Sequence, residues 1–240
     1  MTILLFSSTQ LYSITAYQVI KKMDEQQRGK TSFSRVSVTI IRPRFKRNIV
    51  LDSWDDRIKD KFFLRILKPN KDRGVTFLKS GKSLLWQYIP KIGKEIKIES
   101  SLMGDSWMGS DFTNDDLMKQ SSIVNDYNHQ MLAPQKRGTY KIELKPKPSV
   151  ASVWSKIIMH IKKSNGLAMQ EEFYDHKGRL KKLMKLSHFK KKGGRLMATK
   201  MVMATIKNNR VRSKTVMIYQ KVVFNRAISN YIFSKANLRR

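Results

Sequence analysis

The feature that most constrains this chain is the regular recurrence of short strand-like runs. From Phe33 onward, runs rich in β-branched, aromatic and alternating residues recur every 8–14 residues, separated by Pro, Gly or Asn. No segment between two runs has the length or the period of a crossover helix. Because parallel strands need such crossovers, the sequence predicts an antiparallel meander.

About a dozen such runs are present, and the clearest of them alternate between apolar and charged residues. In TYKIELK, Tyr140, Ile142 and Leu144 face one way, while the charged residues between them face the other. One face of the sheet is therefore apolar and the other is polar and solvent-exposed. A sheet of this size curls over its apolar face. We predict a mainly β fold, an unclosed antiparallel β-barrel in the form of a curved half-barrel.

One segment before the strands has a helical period. In TAYQVIKKMDEQQR, residues 15–28, apolar residues recur at helical spacing and Gly29 follows as a stop: Ala16, Val19, Ile20 and Met23. This pattern predicts an N-terminal helix. A single helix does not fill the wide apolar hollow of so many strands, so another segment has to cover it.

Residues 101–117, SLMGDSWMGSDFTNDDL, interrupt the strand pattern with four Asp and no basic residue. The loop is also rich in large apolar residues, namely Leu102, Met103, Trp107, Met108 and Phe112. We predict a lid with a short helix, whose first turn holds Asp115 and Asp116 behind a cap at Thr113 or Asn114. Asp111 is expected to tie down the loop backbone. Ordinary core packing is the alternative role for each Met and aromatic residue.

The chain carries 49 Lys and Arg against 18 Asp and Glu, a formal charge of +31. A field of this sign attracts polyanions, either nucleic acid or the headgroups of anionic lipids. Residues 176–240 alone hold 19 basic residues and no acidic one. The basic residues are spread over the whole chain, however, and no aromatic platform for base stacking is recognisable. We expect an anionic membrane surface rather than nucleic acid as a partner, and polyanion binding is the alternative function.

Several enzyme and metal-site classes lack their residues in this sequence. Without cysteine the chain has no disulfide, thiolate metal site or Cys nucleophile. The four His are scattered, and neither a nucleophile elbow nor a phosphate-binding loop is present. The run DFTNDD alternates oxygen ligands but lacks the Gly and Glu that a calcium loop requires. We predict that the protein is not an enzyme and holds no metal or other cofactor.

The first residues, MTILLFSSTQLYSITA, are apolar and then small. They resemble the apolar core and cleavage region of a secretory signal, although the positive n-region is missing. We predict residues 1–14 as a signal segment, truncated by a late start codon, and hence an exported protein. A flexible or core-packing N-terminal tail is the alternative. No run approaches the roughly 20 apolar residues of a membrane helix.

The central block of the sequence resembles a known family. In GVTFLKSGKSLLWQYIPKIGKEIKIESSLMGDSWMGSDFTNDDL, the residues Trp86, Tyr88 and Pro90 precede the run MGSDF at 108–112. This block resembles the signature of LolA-like outer-membrane lipoprotein-sorting proteins. The segments AYQVIKKMD, YKIELKPK, FYDHKGRLKKL and YIFSKANLRR resemble the family's flanking segments in order, so the likeness spans roughly residues 15–240.

The resemblance implies one carrier domain over residues 15–240, located in the periplasm, whose apolar hollow holds acyl chains or lipoproteins bound for the outer membrane. Lipid or lipoprotein cargo and an inner-membrane transporter are the partners it implies. Together with the strand patterns it yields a set of candidate lipid-binding residues in the cavity and the lid: Leu64, Ile66, Trp86, Tyr88, Met103, Trp107, Met108, Phe112, Tyr140, Ile142, Leu144, Met201, Met203, Met217 and Tyr219.

Overall fold

A computed structural model of the protein describes residues 14–81, 84–119, 123–134 and 136–240. It confirms the predicted mainly β fold, an antiparallel sheet that is not closed into a barrel and carries few helices. Residues 1–13 of the predicted signal segment lie outside the described residues. No helix within the described ranges is long and apolar enough to span a membrane.

The thirteen strands form one sheet in which every neighbouring pair is antiparallel. In chain order the strands are β1 (Thr31–Arg42), β2 (Phe45–Asp56), β3 (Lys61–Lys68), β4 (Thr76–Ser80), β5 (Leu84–Ile89), β6 (Lys94–Ile98), β7 (Tyr127–Leu132), β8 (Thr139–Pro146), β9 (Lys156–Lys162), β10 (Ala168–Tyr174), β11 (Leu180–Lys192), β12 (Arg195–Lys207) and β13 (Arg210–Phe224).

The sheet order is β6-β5-β4-β3-β2-β1-β13-β12-β11-β10-β9-β8-β7, so the first and last strands of the chain are neighbours at its centre. The free edges are β6 and β7, and residues 99–126 carry the chain from one edge to the other. The predicted meander is therefore present as two halves. The predicted lid lies in the connection that joins the open edges.

The helix α1 (Ala16–Gln27) lies on the concave face of the sheet, where it packs against β7 and β12. Its start is fixed by a capping box, since the Thr15 hydroxyl accepts a hydrogen bond from the Gln18 backbone and the Gln18 side chain accepts one from the Thr15 backbone. The four residues that the helical spacing singled out, Ala16, Val19, Ile20 and Met23, are all buried. The predicted N-terminal helix is confirmed.

Apolar residues of alternate positions fill the concave face. In β3, for example, Phe62, Leu64 and Ile66 belong to the main core, whereas Phe63 points to the other side. The strand TYKIELK behaves similarly, because Ile142 and Leu144 are fully buried in the main core. This two-residue period is what the pleat of a strand requires.

A second apolar cluster lies on the convex face and was not predicted. The chain after β13 turns back over β3, β4 and β5, ending in the short helix α3 (Lys235–Leu238). Its Phe233 and Leu238 pack against Phe63 and Leu78. The Arg65 guanidinium and the Thr76 hydroxyl donate to carbonyls of this segment at 2.8 Å and 2.5 Å, which fixes it to the sheet.

Candidate functional site

The acidic loop, residues 101–117, reaches into the concave core. The Trp107 indole is 1% exposed and meets the Phe77 ring edge-on, with 6.1 Å between centroids. The next residues, Met108 and Gly109, both have positive φ angles, 52° and 74°. Left-handed backbone suits glycine, so Gly109 supplies one of the tight turns that the loop requires. The loop is thus a packed part of the fold.

Asp111 fastens this loop to the middle of the sheet. Its carboxylate accepts two hydrogen bonds from the Arg42 guanidinium, at 2.8 Å and 2.9 Å, and its side chain is completely buried. The hydroxyls of Thr205, Ser213 and Thr215 donate to the same carboxylate at 2.5–2.7 Å. Burial alone would raise the pKa of Asp111, but the three hydroxyls and Arg42 hold that pKa below its ordinary value. The expected anchoring role of Asp111 is confirmed by these contacts.

Two arginines also bind the loop backbone. Arg42 donates to the Gly109 carbonyl at 2.6 Å, and Arg47 donates to the Met108 carbonyl at 3.2 Å. Asp111 has a local role as the counter-charge of Arg42, whereas the carboxylate partner of Arg47 is Asp72, outside the loop. Without Asp111, the half-buried Arg42 would lack this counter-charge.

The predicted short helix is present as α2 (Asn114–Lys119), with Asp115 and Asp116 in its first turn. The cap is Thr113, because its hydroxyl accepts from the Asp116 backbone at 3.1 Å while the Asp116 carboxylate accepts from the Thr113 backbone at 2.7 Å. The other oxygen of Asp116 accepts a hydrogen bond from the Trp154 indole at 3.0 Å. This bond ties the loop to the segment before β9.

A cavity of about 280 Å³ remains on the concave face, between α1, the acidic loop and the sheet. Most of its lining residues lie on β9–β13, and the Trp107 and Phe77 rings are in contact outside it. The apolar wall consists of Met side chains together with aliphatic and aromatic ones: Met23, Phe62, Phe112, Ile123, Ile157, Met159, Ala168, Phe173, Met184, Leu186, Met197, Ala198, Met201, Met203, Tyr219, Val222 and Phe224. Flexible thioether side chains adapt to apolar partners of different shape.

One end of the cavity is polar. Asp24 and Arg28 of α1 and Asp55 of β2 line it, together with the hydroxyls of Ser32, Ser34 and Ser53. The Arg28 guanidinium lies 3.1 Å from the Asp55 carboxylate and 4.0 Å from that of Asp24, and Arg57 pairs with Asp24 as well. Burial raises the pKa of Asp24, and the two arginines oppose that shift. The cavity is therefore amphipathic, with a long apolar wall and a charged end.

Glu171 stands apart from this polar end. It lies on the concave face of β10, opposite Met159 of β9 and Met184 of β11, and it borders the cavity. The Glu171 side chain is half-buried. Burial, followed by the charge of Asp116, raises the pKa of Glu171 to about 7.

The fifteen candidate residues fall into three groups. Phe112, Met201, Met203 and Tyr219 line the cavity. A larger group belongs to the main core or packs against it without lining the cavity: Leu64, Ile66, Met103, Trp107, Met108, Tyr140, Ile142, Leu144 and Met217. Trp86 and Tyr88 lie in the convex cluster, so the structure does not bring them to the hollow. Of the four apolar loop candidates, Phe112 lines the cavity, whereas Met103, Trp107 and Met108 do not.

Several cavity residues were not among the candidates, including Met159, Glu171, Met184 and Leu186. The alternation of β11 held a signal, since Met184 and Leu186 share the concave face of that strand. Glu171 gave no signal, because an acid in an amphipathic strand is ordinarily assigned to the wet face. Among the described residues there is no cluster of three or more His, Asp or Glu that could hold a metal ion.

Comparison with known proteins identifies a matching family model and solved structures with a similar fold. A family model described as "Uncharacterized protein" matches residues 59–240. The chain belongs to this family. A DUF1329 family protein from Desulfovibrio piger has a similar structure, with a TM-score of 0.83 and 22% identity over 93% of this chain and 97% of the other. No curated protein sequence matches the chain.

Two further structures carry names that bear on the predicted resemblance. A putative outer membrane lipoprotein-sorting protein domain from Vibrio parahaemolyticus matches with a TM-score of 0.82 and 19% identity, over 94% of this chain and 98% of the other. A LolA superfamily protein from Nitrosomonas europaea matches with a TM-score of 0.79 and 21% identity, over 94% and 100%. The predicted LolA-like fold is confirmed.

Proposed function

We propose that the protein is a carrier that encloses the acyl chain of a lipid or lipoprotein in the cavity along β9–β13. The observation that carries this proposal is a methionine-lined cavity with one charged end, beneath a loop that is fastened to the sheet. Each buried methylene of a chain gains about 0.8 kcal/mol, so such a cavity can hold a chain tightly without any reaction. Carriage, and not catalysis, is the proposed activity.

The names of the similar structures support a proposal for the compartment in which the protein works and for the direction in which it moves its cargo. A lipoprotein-sorting domain and a LolA superfamily protein share this fold, and we infer that the present chain works in the periplasm and moves its cargo toward the outer membrane. An inner-membrane transporter that loads the cargo is the further partner in this proposal. The cargo is a lipid or a lipoprotein, both of which present acyl chains.

A basic rim supports contact with an anionic membrane surface. The β1–β2 and β12–β13 hairpins are neighbours and project at the same end of the sheet, where Asp111 fastens the loop. Their tips expose Phe45 and Val211, at 56% and 60%. Exposed cations surround these two residues: Arg44, Lys46, Lys207, Arg210, Arg212 and Lys214. An apolar tip within a cationic ring fits the interface of an anionic bilayer.

The positive charge of the basic rim has an alternative explanation, which is that the rim binds a nucleic acid. Nucleic-acid surfaces commonly add aromatic rings on which bases stack. At the basic rim the exposed apolar residues are one Phe and one Val, which suit insertion among lipid headgroups better than stacking. The rim therefore favours a membrane as the polyanion.

The direct test of carriage is native mass spectrometry of the purified protein. We expect the protein to retain, or to take up from a lipid extract, about one chain-bearing molecule per protein, released by organic solvent. The expected mass difference identifies the chain and its headgroup. A protein that carries no such molecule and takes none up when mixed with lipid and lipopeptide extracts would contradict the proposed function.

A further inference from the structure

Glu171 is a carboxyl in the apolar part of the cavity. It forms no hydrogen bond or ion pair with the residues that the structure describes. Its neighbours across the sheet, Met159 and Met184, offer no donor. Glu171 is half-buried against an apolar wall, and carboxyls in such surroundings ordinarily have partners, because an unpaired ionised group there is costly. An unpaired carboxyl at the wall of a binding cavity is the arrangement expected when the partner belongs to the ligand.

The charge inside the cavity has the opposite sign from the charge of the whole chain. Four carboxyls line the cavity, those of Asp24, Asp55, Asp116 and Glu171, and Arg28 is the basic residue among the lining groups. Three of the four carboxyls are already engaged. Asp24 and Asp55 pair with arginines, and Asp116 accepts from Thr113 and Trp154 and lies 3.8 Å from the Lys182 ammonium. One oxygen of Asp24 also accepts no hydrogen bond, but Arg28 and Arg57 already neutralise that carboxylate. Glu171 is therefore the carboxyl of the four that has no cation beside it and can accept an incoming group.

We propose that the cavity selects chains that carry an ammonium group, and that Glu171 is the residue that receives this group. The inference rests on the proposed carrier function and names the class of its ligand. An ammonium beside the chain forms a charge-assisted hydrogen bond with Glu171, which is strengthened by the apolar residues around this carboxyl. A fatty acid carboxylate at the same place meets the charges of Glu171 and Asp116 and is repelled.

Three ligands with the same chain but different headgroups separate the effect of the headgroup charge from that of the chain contacts. Dodecylamine, dodecanol and dodecanoate are titrated into the protein by calorimetry at about pH 8, above the pKa of Glu171. We expect the amine to bind at least about tenfold more tightly than the carboxylate, with the alcohol between them. Glu171→Gln should weaken amine binding by about tenfold or more and leave dodecanol within about twofold, since the chain contacts are unchanged.

The matched control is Glu172→Gln, one residue along β10, where the carboxylate contacts His160 and Tyr174 away from the cavity. This variant should bind all three ligands as the wild type does. Wild-type preference for dodecanoate, or an amine-to-carboxylate ratio that Glu171→Gln does not change, would overturn the inference while the carrier function stands. Absence of binding for all three chains would overturn both. Because Gln removes an unpaired charge, we expect the variant to fold, and its thermal unfolding verifies this.

Discussion

Replacing Asp111 with Asn is expected to lower the free energy of unfolding by about 3–5 kcal/mol, the usual cost of breaking a buried ion pair. Asn has nearly the shape of Asp but lacks its charge, so the Arg42 guanidinium loses its counter-ion. The surrounding hydroxyls lose one of the two carboxylate oxygens that accept their hydrogen bonds. Urea unfolding measures the effect. Asp105→Asn is the matched control, because Asp105 is an exposed carboxylate of the same loop and should cost little.

The effect of Asp111→Asn should also depend on pH. The pKa of Asp111 is held below its ordinary value of 3.8, so its ionised form stabilises the fold. This contribution is complete above the unfolded-state pKa and is lost as the pH falls through the lower pKa of the folded state. The difference between wild type and variant should therefore be constant near neutral pH and shrink below about pH 4. A difference of under about 1 kcal/mol at neutral pH would show that Asp111 does not anchor the loop.

Binding to vesicles of anionic lipid is expected to weaken by orders of magnitude between low and high salt. Each Lys or Arg near such a surface contributes about 1 kcal/mol, and the basic rim exposes several of them. Salt screens these attractions, since the screening length falls from about 30 Å at 0.01 M to about 3 Å at 1 M. Replacing both Phe45 and Val211 with Ser should weaken binding further, by about tenfold, while the salt dependence stays. Vesicle co-sedimentation measures both effects.

Ile58→Ser is the control for the rim, because Ile58 is 72% exposed in the β2–β3 turn at the opposite end of the sheet. It should bind vesicles as the wild type does. Equal binding to neutral vesicles would contradict the role of the rim. A clear preference for DNA over anionic vesicles would instead favour the alternative function.

The fold was predictable because its signals are local. The spacing of Ala16, Val19, Ile20 and Met23 fixes which side of α1 is buried, and neighbouring strands need not be known for that. Strand recurrence without crossovers likewise determines antiparallel pairing. The short helix and its cap followed from Thr113 and the acids behind it.

The site was harder to predict because it depends on contacts between distant segments. Alternation places Trp86 and Tyr88 on one face of β5, but nothing local tells which face is concave. Here the C-terminal segment, about 140 residues further on, covers the convex face and makes it apolar as well. Trp107 packs against Phe77 outside the cavity, and most of the residues that line the cavity lie on β9–β13. No periodicity of the loop or the strands contains that information.

The most direct test of a chain-binding cavity is to fill it. Ala198 is 4% exposed and lines the cavity from β12, so Ala198→Phe places a ring in the space that a chain would occupy. Val202→Phe is the matched control, since Val202 lies between Met201 and Met203, which line the cavity, and is itself half-buried on the other face of β12. Binding of a dodecyl chain with a solvent-sensitive fluorophore is titrated against both variants. We expect Ala198→Phe to weaken binding by about tenfold or more in a protein that stays folded, and Val202→Phe to bind normally. Full affinity in a folded Ala198→Phe protein would contradict the proposal that the chain lies in this cavity.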